Sequence, residues 1–406
     1  MKITYLLTQS LESPSGLGRY WPLAKELAKR NHVVEIYALH PDINSLKQRN
    51  LEKSGVSIYY VAPMHVKKSD NVKNYYSLGG LARVVLQATW NLSFSAIRSD
   101  SDILHIAKPH PMNSIAGLSA KYLKNKLVFL DCDDFEAGSG NFPSKWQASG
   151  IAHFEKNIPK QVALITTNTQ FMQDKLLSWG IPEQKIYYLP NGVDRARFES
   201  SYPLDLVLLR EKYRLKSKRV VSYIGSMSLA NHAVDLLLKA FSRVIDILPD
   251  TVLLLVGGGE DFYNLQLLAS SLGLDDFVRF VGYVTPDQVT HYYRVSDVSV
   301  DPVYDNDAAR GRSPLKLFES WACEIPFVTS DVGDRRYLMG DPPAGILASP
   351  GDPISLSKAI IKGLSDEELQ VEIKSRGKNR VSNYYWDQLV IGIEKIYQDN
   401  LHQYQR

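Results

Sequence analysis

The sequence predicts an α/β protein built from two doubly wound, mainly parallel sheets. Short apolar strands alternate with amphipathic helices, and glycine-rich segments follow several strands. The same order recurs in the second half, and 406 residues exceed what one hydrophobic core usually organises. We expect one domain at 1–200 and another at 218–383, facing each other across a cleft. The C-terminal helix, 384–406, is expected to join the first domain.

Composition limits the function classes. The chain is 44% hydrophobic and 22% charged, which is typical of a soluble globular protein. A net charge of +3 is too small to indicate nucleic-acid binding, and it suits a small anionic ligand or a loose contact with an anionic surface. Cys132 and Cys323 lie far apart, which argues against a zinc site and a disulfide framework. Residues 3–7 are too short a run for a signal peptide, so a cytoplasmic location is expected.

The first strand is predicted at 3–7 and is followed by Gly16-Leu17-Gly18. A helix over 19–30 and a strand over 33–39 complete the opening of a doubly wound sheet. Gly16 and Gly18 would let the backbone approach an anion closely. A dinucleotide fingerprint needs a third glycine near Trp21, and none is present. The pattern therefore fits a tight strand-to-helix turn equally well.

The segment 64–76 combines lysines with tyrosines. Such a segment can contact an acceptor or a membrane surface, although it is more often a solvated loop. A helix over 81–97 carries polar residues, so it is amphipathic rather than membrane-spanning. The next strand, 102–107, ends at Lys108-Pro109-His110. We assign acceptor binding to Lys108 and His110.

Four acids follow the strand predicted at 127–130, within Asp131-Cys132-Asp133-Asp134-Phe135-Glu136. Ligands of open α/β sheets bind outside the carboxyl ends of strands, where this cluster falls. Carboxylates there can hold a divalent cation or accept hydrogen bonds from sugar hydroxyls. The alternative is a solvated loop that caps a helix. We favour a functional cluster because closely spaced like charges are costly, and we assign catalysis to Asp133 and Asp134.

The remaining elements repeat the same alternation. The turn Pro190-Asn191-Gly192-Val193-Asp194 follows the last strand of the first half, and the charged stretch 195–218 is interpreted as an irregular domain boundary. Further strands are predicted at 163–167, 186–189, 220–224, 252–256, 278–281 and 298–300, and further helices at 113–123, 171–179, 233–248, 262–272, 287–294 and 384–404.

The segment 310–336 organises the second half. Ser313 can cap a helix and Pro314 suits its first turn, so a helix is predicted from there to about Cys323. A helix start offers free N–H groups and a positive dipole end that suit a phosphate, and Arg310, Arg312 and Lys316 add charge nearby. The alternative is an ordinary amphipathic helix with a Lys316–Glu319 surface pair.

These motifs resemble glycosyltransferase family 4, the large retaining group with the GT-B fold. The resemblance spans nearly the whole chain, and its most specific part is the run Ser313-Pro314-Leu315-Lys316-Leu317-Phe318-Glu319. It is also carried by Gly16-Leu17-Gly18, by the turn at 190–194 and by Val256-Gly257-Gly258-Gly259. The resemblance implies two Rossmann-like domains, of which the second holds a UDP- or GDP-sugar.

The resemblance also implies residue roles. Glu319 would bind the ribose, and the backbone at Pro314, Leu315 and Lys316 would meet the diphosphate. The donor-binding set is completed by Gly16, Gly18, Gly225, Ser226, His232, Tyr283, Arg312 and Ser313. Asp133 and Asp134 take the place where many members carry a histidine that touches the donor sugar. No metal and no other cofactor is required.

Three positions depart from the family pattern. Gly311 stands where the first of two paired glutamates is usual, Ser226 replaces an arginine, and Asn231-His232 replaces a lysine. Arg310, Arg312 and Lys316 can replace the missing positive charge, since guanidinium groups suit phosphate oxygens. His232 can contribute when it is protonated.

The predicted function is transfer of a sugar from a nucleotide diphosphate donor to a saccharide, lipid-linked or small-molecule acceptor, with retention at the anomeric carbon. We do not expect nucleic acid as a partner. We do expect that the protein can make a peripheral contact with a membrane. Three alternatives stay open: a nucleotide-sugar-binding protein without turnover, a nucleotide-sugar epimerase, and a nicotinamide-dependent oxidoreductase.

Overall fold

The structure, a computed structural model, describes residues 1–69, 72–139, 142, 144–199 and 203–405. It divides the chain into two compact units. The first unit comprises Met1–Gly192, Gly311–Ser313 and Trp386–Arg406, and the second comprises Val193–Arg310 and Pro314–Tyr385.

The first unit is built on a sheet of eight strands whose order is β10-β9-β8-β7-β1-β2-β4-β3. All neighbours are parallel except β3, which pairs antiparallel with β4. Strands β1, β7, β8 and β9 are almost entirely buried, as expected of parallel strands covered on both faces. The strands of this unit are β1 Lys2–Leu7, β2 Val33–His40, β3 Asn50–Lys53, β4 Val56–Pro63, β5 Val66–Ser69, β6 Val72–Tyr75, β7 Ile103–Ala107, β8 Leu127–Cys132, β9 Leu164–Thr167 and β10 Ile186–Tyr188.

Helices cover this sheet and confirm the predicted alternation. A wide π-helical turn over Gly16–Tyr20 leads into the first of them. The helices are α1 Trp21–Lys29, α2 Leu78–Arg98, α3 Pro111–Lys124, α4 Lys145–Asn157, α5 Gln170–Ser178 and the C-terminal helix Trp386–Gln405. The C-terminal helix packs Trp386, Val390, Ile393 and Tyr397 into the core of the first unit.

The solvated loop favoured for 64–76 is not what forms. Strands β5 and β6 pair there as an antiparallel hairpin. Val66, Val72 and Tyr75 belong to residue types that favour strands, a signal that the lysines between them obscured. The Lys67 ammonium lies 4.8 Å from the centre of the Tyr76 ring. The side chains of Lys68, Lys73 and Tyr75, on which the predicted basic and aromatic surface also depended, lie outside the described part of the structure.

The second unit has a six-stranded parallel sheet of order β13-β12-β11-β14-β15-β16. Its strands are β11 Arg219–Ile224, β12 Thr251–Val256, β13 Val278–Gly282, β14 Val298–Asp301, β15 Phe327–Ser330 and β16 Ile346–Ala348. Its helices are α6 Arg195–Glu199, α7 Pro203–Lys212, α8 Val234–Ile247, α9 Phe262–Ser271, α10 Val289–Arg294, α11 Asp307–Arg310, α12 Leu315–Ala322, α13 Arg335–Met339, α14 Pro353–Ser365 and α15 Glu367–Val381.

The interpretation of 195–218 as irregular is wrong, because α6 and α7 occupy most of it. Phe198 is buried in the second unit, and Leu206 and Leu209 pack against the same core. Tertiary packing of these few apolar residues stabilises both helices. The charged residues around them make the helical pattern hard to recognise in the sequence. No helix in the described part of the chain is both long and apolar enough to cross a lipid bilayer.

Candidate active site

The first unit brings the predicted acceptor and catalytic residues together around Lys108. The Lys108 Nζ lies 2.7 Å from Asp134 Oδ2, 2.6 Å from Glu136 Oε1 and 3.3 Å from Asp133 Oδ1. Both Lys108 and Asp133 are buried. The lysine therefore joins three carboxylates that belong to the loop after β8, at the carboxyl end of the sheet.

Local backbone geometry produces this cluster. Lys108 follows β7 in the left-handed region, at φ 68°, and its N–H donates to the carbonyl of Asp131 at 3.0 Å. The buried carboxylate of Glu155, on α4, accepts the N–H groups of Glu136 and Ala137 at 2.8 and 3.0 Å. The loop that carries the acids is thus held by a fifth carboxylate, which the sequence did not indicate.

His110 extends the cluster on its other side. Its Nε2 lies 3.2 Å from Glu136 Oε2, and its Nδ1 lies 2.8 Å from Thr8 Oγ1. Thr8 directly follows β1, so side chains from the ends of three neighbouring strands meet here. The structure places the residues assigned to the acceptor and to catalysis at one edge of the first sheet.

Burial and charge set the proton affinities of the cluster. Burial raises the pKa of Asp133 to about 8, Lys108 opposes that effect, and Asp134 and Asp131 add to it. Burial alone would lower the pKa of Lys108, but the carboxylates around it raise its pKa well above the usual range. Asp133 Oδ1 lies 3.3 Å from the Lys108 ammonium but accepts no hydrogen bond within the described chain. This buried oxygen can still accept a hydrogen bond from a ligand hydroxyl.

Asp133, Asp134 and Glu136 each place one carboxylate oxygen within 4.8 Å of the others, a spacing that a cation can use. The Lys108 ammonium already contacts all three side chains. Positive charge is therefore supplied by the protein itself, and the donor set does not favour a divalent ion over this lysine.

Asp131 has a role different from the other three acids. Its carboxylate accepts two hydrogen bonds from Arg19, at 2.6 Å from Nε and 2.7 Å from Nη2, and one from Thr166 at 2.5 Å. Arg19 also donates to the carbonyl of Leu189 and to Asn191 Oδ1. The assignment of Asp131 to a functional acid cluster is therefore not supported, because both of its carboxylate oxygens accept buried hydrogen bonds from Arg19 and Thr166.

Packing within the first unit explains why the Gly16-Leu17-Gly18 segment contains a glycine at position 16. A Cβ on Gly16 would lie 2.4 Å from the carbonyl oxygen of Ser10, so only glycine fits there. The carbonyl of Gly18 accepts a hydrogen bond from Trp386 Nε1 at 3.0 Å. The segment also delivers Arg19 into the interior, which sequence analysis missed although Arg19 directly follows the glycines.

In the second unit, Lys316 lies against the loop after β11. A Cβ on Gly225 would come within 2.8 Å of Lys316 Cε, and the Lys316 ammonium lies 5.1 Å from the centre of the Tyr223 ring. The Tyr223 hydroxyl donates to the carbonyl of Ser226 at 2.6 Å, and the His232 ring lies edge-on to Tyr223. Four predicted donor-binding residues thus gather around Tyr223, a buried side chain that sequence analysis missed.

Asp301 links this group to the sheet. Lys316 Nζ lies 3.0 Å from Asp301 Oδ1, and Arg335 Nη2 lies 2.9 Å from Asp301 Oδ2. Burial alone would raise the pKa of Asp301, but Lys316 and Arg335 outweigh it and hold the pKa below its usual range. One carboxylate faces two cations, which leaves a net positive charge next to α12.

The glycines after β12 allow two loops to touch. Gly257 has φ 130°, and a Cβ on it would lie 2.0 Å from the Gly225 carbonyl oxygen. A Cβ on Gly259 would lie 2.5 Å from the Met227 carbonyl carbon. The N–H of Gly257 donates to the Gly282 carbonyl, next to the exposed Tyr283. The predicted loops therefore meet along one edge of the second sheet.

The prediction that Ser313 caps the central helix is wrong. Helix α12 begins at Leu315, its N-cap residue is Pro314, and no side chain caps it. Pro314 separates Ser313 from the N–H groups that a capping oxygen must reach. Ser313 Oγ is buried and has no hydrogen-bond partner in the described chain. The amino end of α12 keeps the unsatisfied N–H groups that attract an anion.

Glu319 does not form the surface pair with Lys316. Its Oε2 accepts a hydrogen bond from the Tyr293 hydroxyl at 2.9 Å. Tyr293 is fully buried, so it fixes the orientation of the carboxylate. Within the described residues no side chain or backbone group donates to Glu319 Oε1. Arg310 pairs with Asp305 through two hydrogen bonds, and Arg312 is half-buried.

Two parallel-sheet units, each with ligand-type loops at the carboxyl ends of its strands, define a GT-B architecture. The family model described as "Glycosyltransferase Family 4" matches residues 16–197, and that described as "Glycosyl transferases group 1" matches residues 208–380. Together these matches cover most of the chain. The chain belongs to the GT-B glycosyltransferases of the family 4 type.

Similar proteins agree with this placement. The chain is 24% identical over 254 residues to D-inositol 3-phosphate glycosyltransferase of Corynebacterium jeikeium, covering 60% of this chain and 59% of that protein. It spans only 52–61% of the length of the first curated relatives it matches. Among solved structures, sucrose-phosphate synthase of Thermosynechococcus elongatus shares the fold, with a TM-score of 0.79, 18% identity and coverage of 98% and 99%.

A second solved structure, Anabaena HepE in complex with UDP-glucose, has a TM-score of 0.74 and 19% identity. The comparison covers 98% of this chain and all of that one. At this level of identity the two solved structures confirm the fold alone.

Proposed function

We propose that the protein transfers a sugar from a nucleotide diphosphate-sugar to an acceptor, with retention at the anomeric carbon. The observation that carries this proposal is the uncapped amino end of α12 beside Lys316, which lies against the Gly225 loop. Free N–H groups, a helix dipole and a net positive triad of Lys316, Arg335 and Asp301 form a binding site for a diphosphate.

The other donor contacts follow from this placement. Glu319 Oε1 accepts hydrogen bonds from the ribose hydroxyls, while Tyr293 holds the second oxygen. The exposed Tyr283 and the backbone beside it contact the base. Ser226 and His232 flank the phosphates in place of the family's usual cations, and Ser313, Pro314 and Arg312 complete the donor set.

Asp133 and Asp134 serve the donor sugar in this proposal. The buried Asp133 carboxyl, whose Oδ1 accepts no hydrogen bond within the described chain, suits a sugar hydroxyl, and in its ionised form it stabilises positive charge that develops at the anomeric carbon. The protein mainly positions the reactants and stabilises charge. A donor phosphate oxygen takes the acceptor proton, so no dedicated protein base is needed.

The donor is a UDP- or GDP-sugar and the acceptor a saccharide, a lipid-linked sugar or a small molecule held by Lys108 and His110. Two observations support this range. The relative named above is an inositol phosphate glycosyltransferase, and the HepE structure contains UDP-glucose. Three carboxylates already neutralise the Lys108 ammonium, so this cluster suits a hydroxyl-rich acceptor better than an anionic one.

A thermal-shift panel tests the donor proposal. UDP, GDP and ADP and their sugars are compared at equal concentration, and a true donor raises the melting temperature more as its concentration exceeds the dissociation constant. NMR of the product anomeric proton then tests retention. If one nucleotide binds and neither transfer nor hydrolysis follows, the alternative of a binding protein without turnover is correct, which the Gly311 substitution favours.

A further inference from the structure

Helix α2 carries two apolar stripes on opposite sides. Val84, Ala88, Leu92 and Ala96 are buried in the first unit. Leu86, Trp90 and Phe94 repeat at the same four-residue spacing about half a turn away and are 71%, 73% and 52% exposed. The outer stripe packs on no core of its own unit, and exposed apolar patches of this kind mark interaction surfaces.

The charges around this stripe have one sign. Residues 78–98 contain Arg83 and Arg98 and no acid. The Arg98 guanidinium lies 4.8 Å from the centre of the Phe94 ring. The nearest acid along the chain, Asp100, forms an ion pair with Lys2. The outer face of α2 therefore combines large apolar side chains with two arginines that form no ion pair with another described residue.

Helix α3 packs against α2, and its last turn also combines exposed apolar side chains with basic residues. Residues 111–124 contain no acid, and Tyr122 and Leu123 are exposed near their last turn. The Lys121 ammonium lies 5.3 Å from the centre of the Tyr122 ring. Aromatic residues paired with basic ones are suited to the boundary between lipid headgroups and acyl chains.

We propose that the outer face of α2, formed by Leu86, Trp90, Phe94, Arg83 and Arg98, docks the protein onto an anionic lipid surface. The apolar side chains enter the headgroup boundary while the two guanidinium groups bind lipid phosphates. A second copy docked through the same face would bring arginine against arginine, because α2 has no acid, whereas anionic headgroups neutralise both guanidinium groups. This docking does not depend on the proposed sugar transfer.

Vesicle flotation of the full chain tests the proposal. Phosphatidylcholine vesicles with about one-third phosphatidylglycerol are compared with pure phosphatidylcholine, at low and high salt. We expect binding to the anionic vesicles that weakens with salt, and about a tenfold loss of partitioning in W90S/F94S. R83E/R98E should lose binding to anionic vesicles while keeping every apolar side chain.

The matched control is Y263S/L267S on α9, which removes two exposed apolar residues at the same four-residue spacing in the second unit. It should bind like the wild type. Melting temperatures and nucleotide binding should not change in any of these variants. Equal binding to neutral and anionic vesicles, or undiminished binding by W90S/F94S, overturns the proposal. A concentration-dependent dimer in analytical ultracentrifugation that W90S/F94S dissociates would instead assign this face to a second copy.

Discussion

Arg19 and Asp131 form a two-bond ion pair inside the first unit, with both side chains almost completely buried. Arg19 lies beside the glycine segment after β1, and Asp131 lies on β8. The same guanidinium binds Asn191, two residues before the second unit begins, and its Cζ lies 6.0 Å from the ring centre of Trp386, where the chain has returned. The pair therefore links the sheet of the first unit to the segment where the chain leaves this unit and to the helix where it returns.

Removing one partner should be costly. We expect R19M to lower the free energy of unfolding by about 3–5 kcal/mol, because Asp131 would remain buried and charged without its cation. Urea unfolding of the full chain measures the change. The double variant R19M/D131L should recover much of the loss, since no charge stays buried. An R19M protein as stable as the wild type would contradict this account.

The same pair sets an acid limit to stability. Burial alone would raise the pKa of Asp131, but Arg19 outweighs it and lowers the pKa. A carboxyl group whose pKa is lowered on folding stabilises the native state above its unfolded value of about 4 and loses that effect as the pH falls further. Thermal melts from neutral to acid pH should show this loss in the wild type and a smaller one in R19M/D131L.

Glu319 should govern nucleotide affinity. E319Q replaces an acceptor oxygen by an amide, and a lost charged hydrogen bond to ribose is expected to weaken UDP or GDP binding by about tenfold or more. Isothermal titration calorimetry measures this. Inorganic pyrophosphate has no ribose and should bind both proteins alike. The control E324Q changes an exposed glutamate that pairs with Lys378. Unchanged nucleotide affinity in E319Q would disprove the ribose assignment.

Three glycine substitutions should separate stability from binding. G257A requires φ 130° and places a Cβ against the Gly225 carbonyl, so we expect a loss of about 2 kcal/mol or more. G225A meets the flexible end of Lys316, which can move, so nucleotide affinity should fall with little loss of stability. G258A meets nothing within 4 Å and serves as the control. Melting curves and calorimetry on the three proteins distinguish these outcomes.

The pH dependence of turnover should report Asp133. Burial raises its pKa to about 8, so it is mostly neutral at pH 7 and ionises above. If the carboxylate stabilises charge at the sugar, kcat rises with pH through about 8, and D133N is slow and lacks this rise. Asp134 helps to raise that pKa, so D134N should shift the rise to lower pH. A rate that falls as Asp133 ionises would contradict the proposed role.

The linear order of residues was enough for the fold class and for much of the site. Buried strands such as Ile103–Ala107 are continuous apolar runs, and glycines mark the loops that follow strands. Lys108 and His110 were assigned to acceptor binding and Asp133 to catalysis because each follows a predicted strand. Lys316 and Glu319 were indicated by their place in a specific motif.

Other features depended on residues far apart in the chain. Arg19 binds Asp131, Tyr293 donates to Glu319, and Tyr223 contacts Lys316. No regular spacing in the sequence indicates any of these pairs. Strands β5 and β6 and helices α6 and α7 were missed because charged residues dominate their sequences. For α6 and α7, packing identifies the apolar residues that stabilise them. The cap expected at Ser313 does not form because the helix begins at Leu315, so that Pro314 occupies the N-cap position.

The sequence by itself determined two α/β units and the loops that carry the candidate site, since hydrophobic period and glycine position are local properties. Only the tertiary structure decided which charges are used inside the protein and which remain for a ligand. Asp131 and Asp133 are two residues apart, yet Asp131 accepts two hydrogen bonds from a buried arginine, whereas Asp133 Oδ1 accepts none within the described chain. Burial and partners fix that difference, and both arise when distant strands pack side by side.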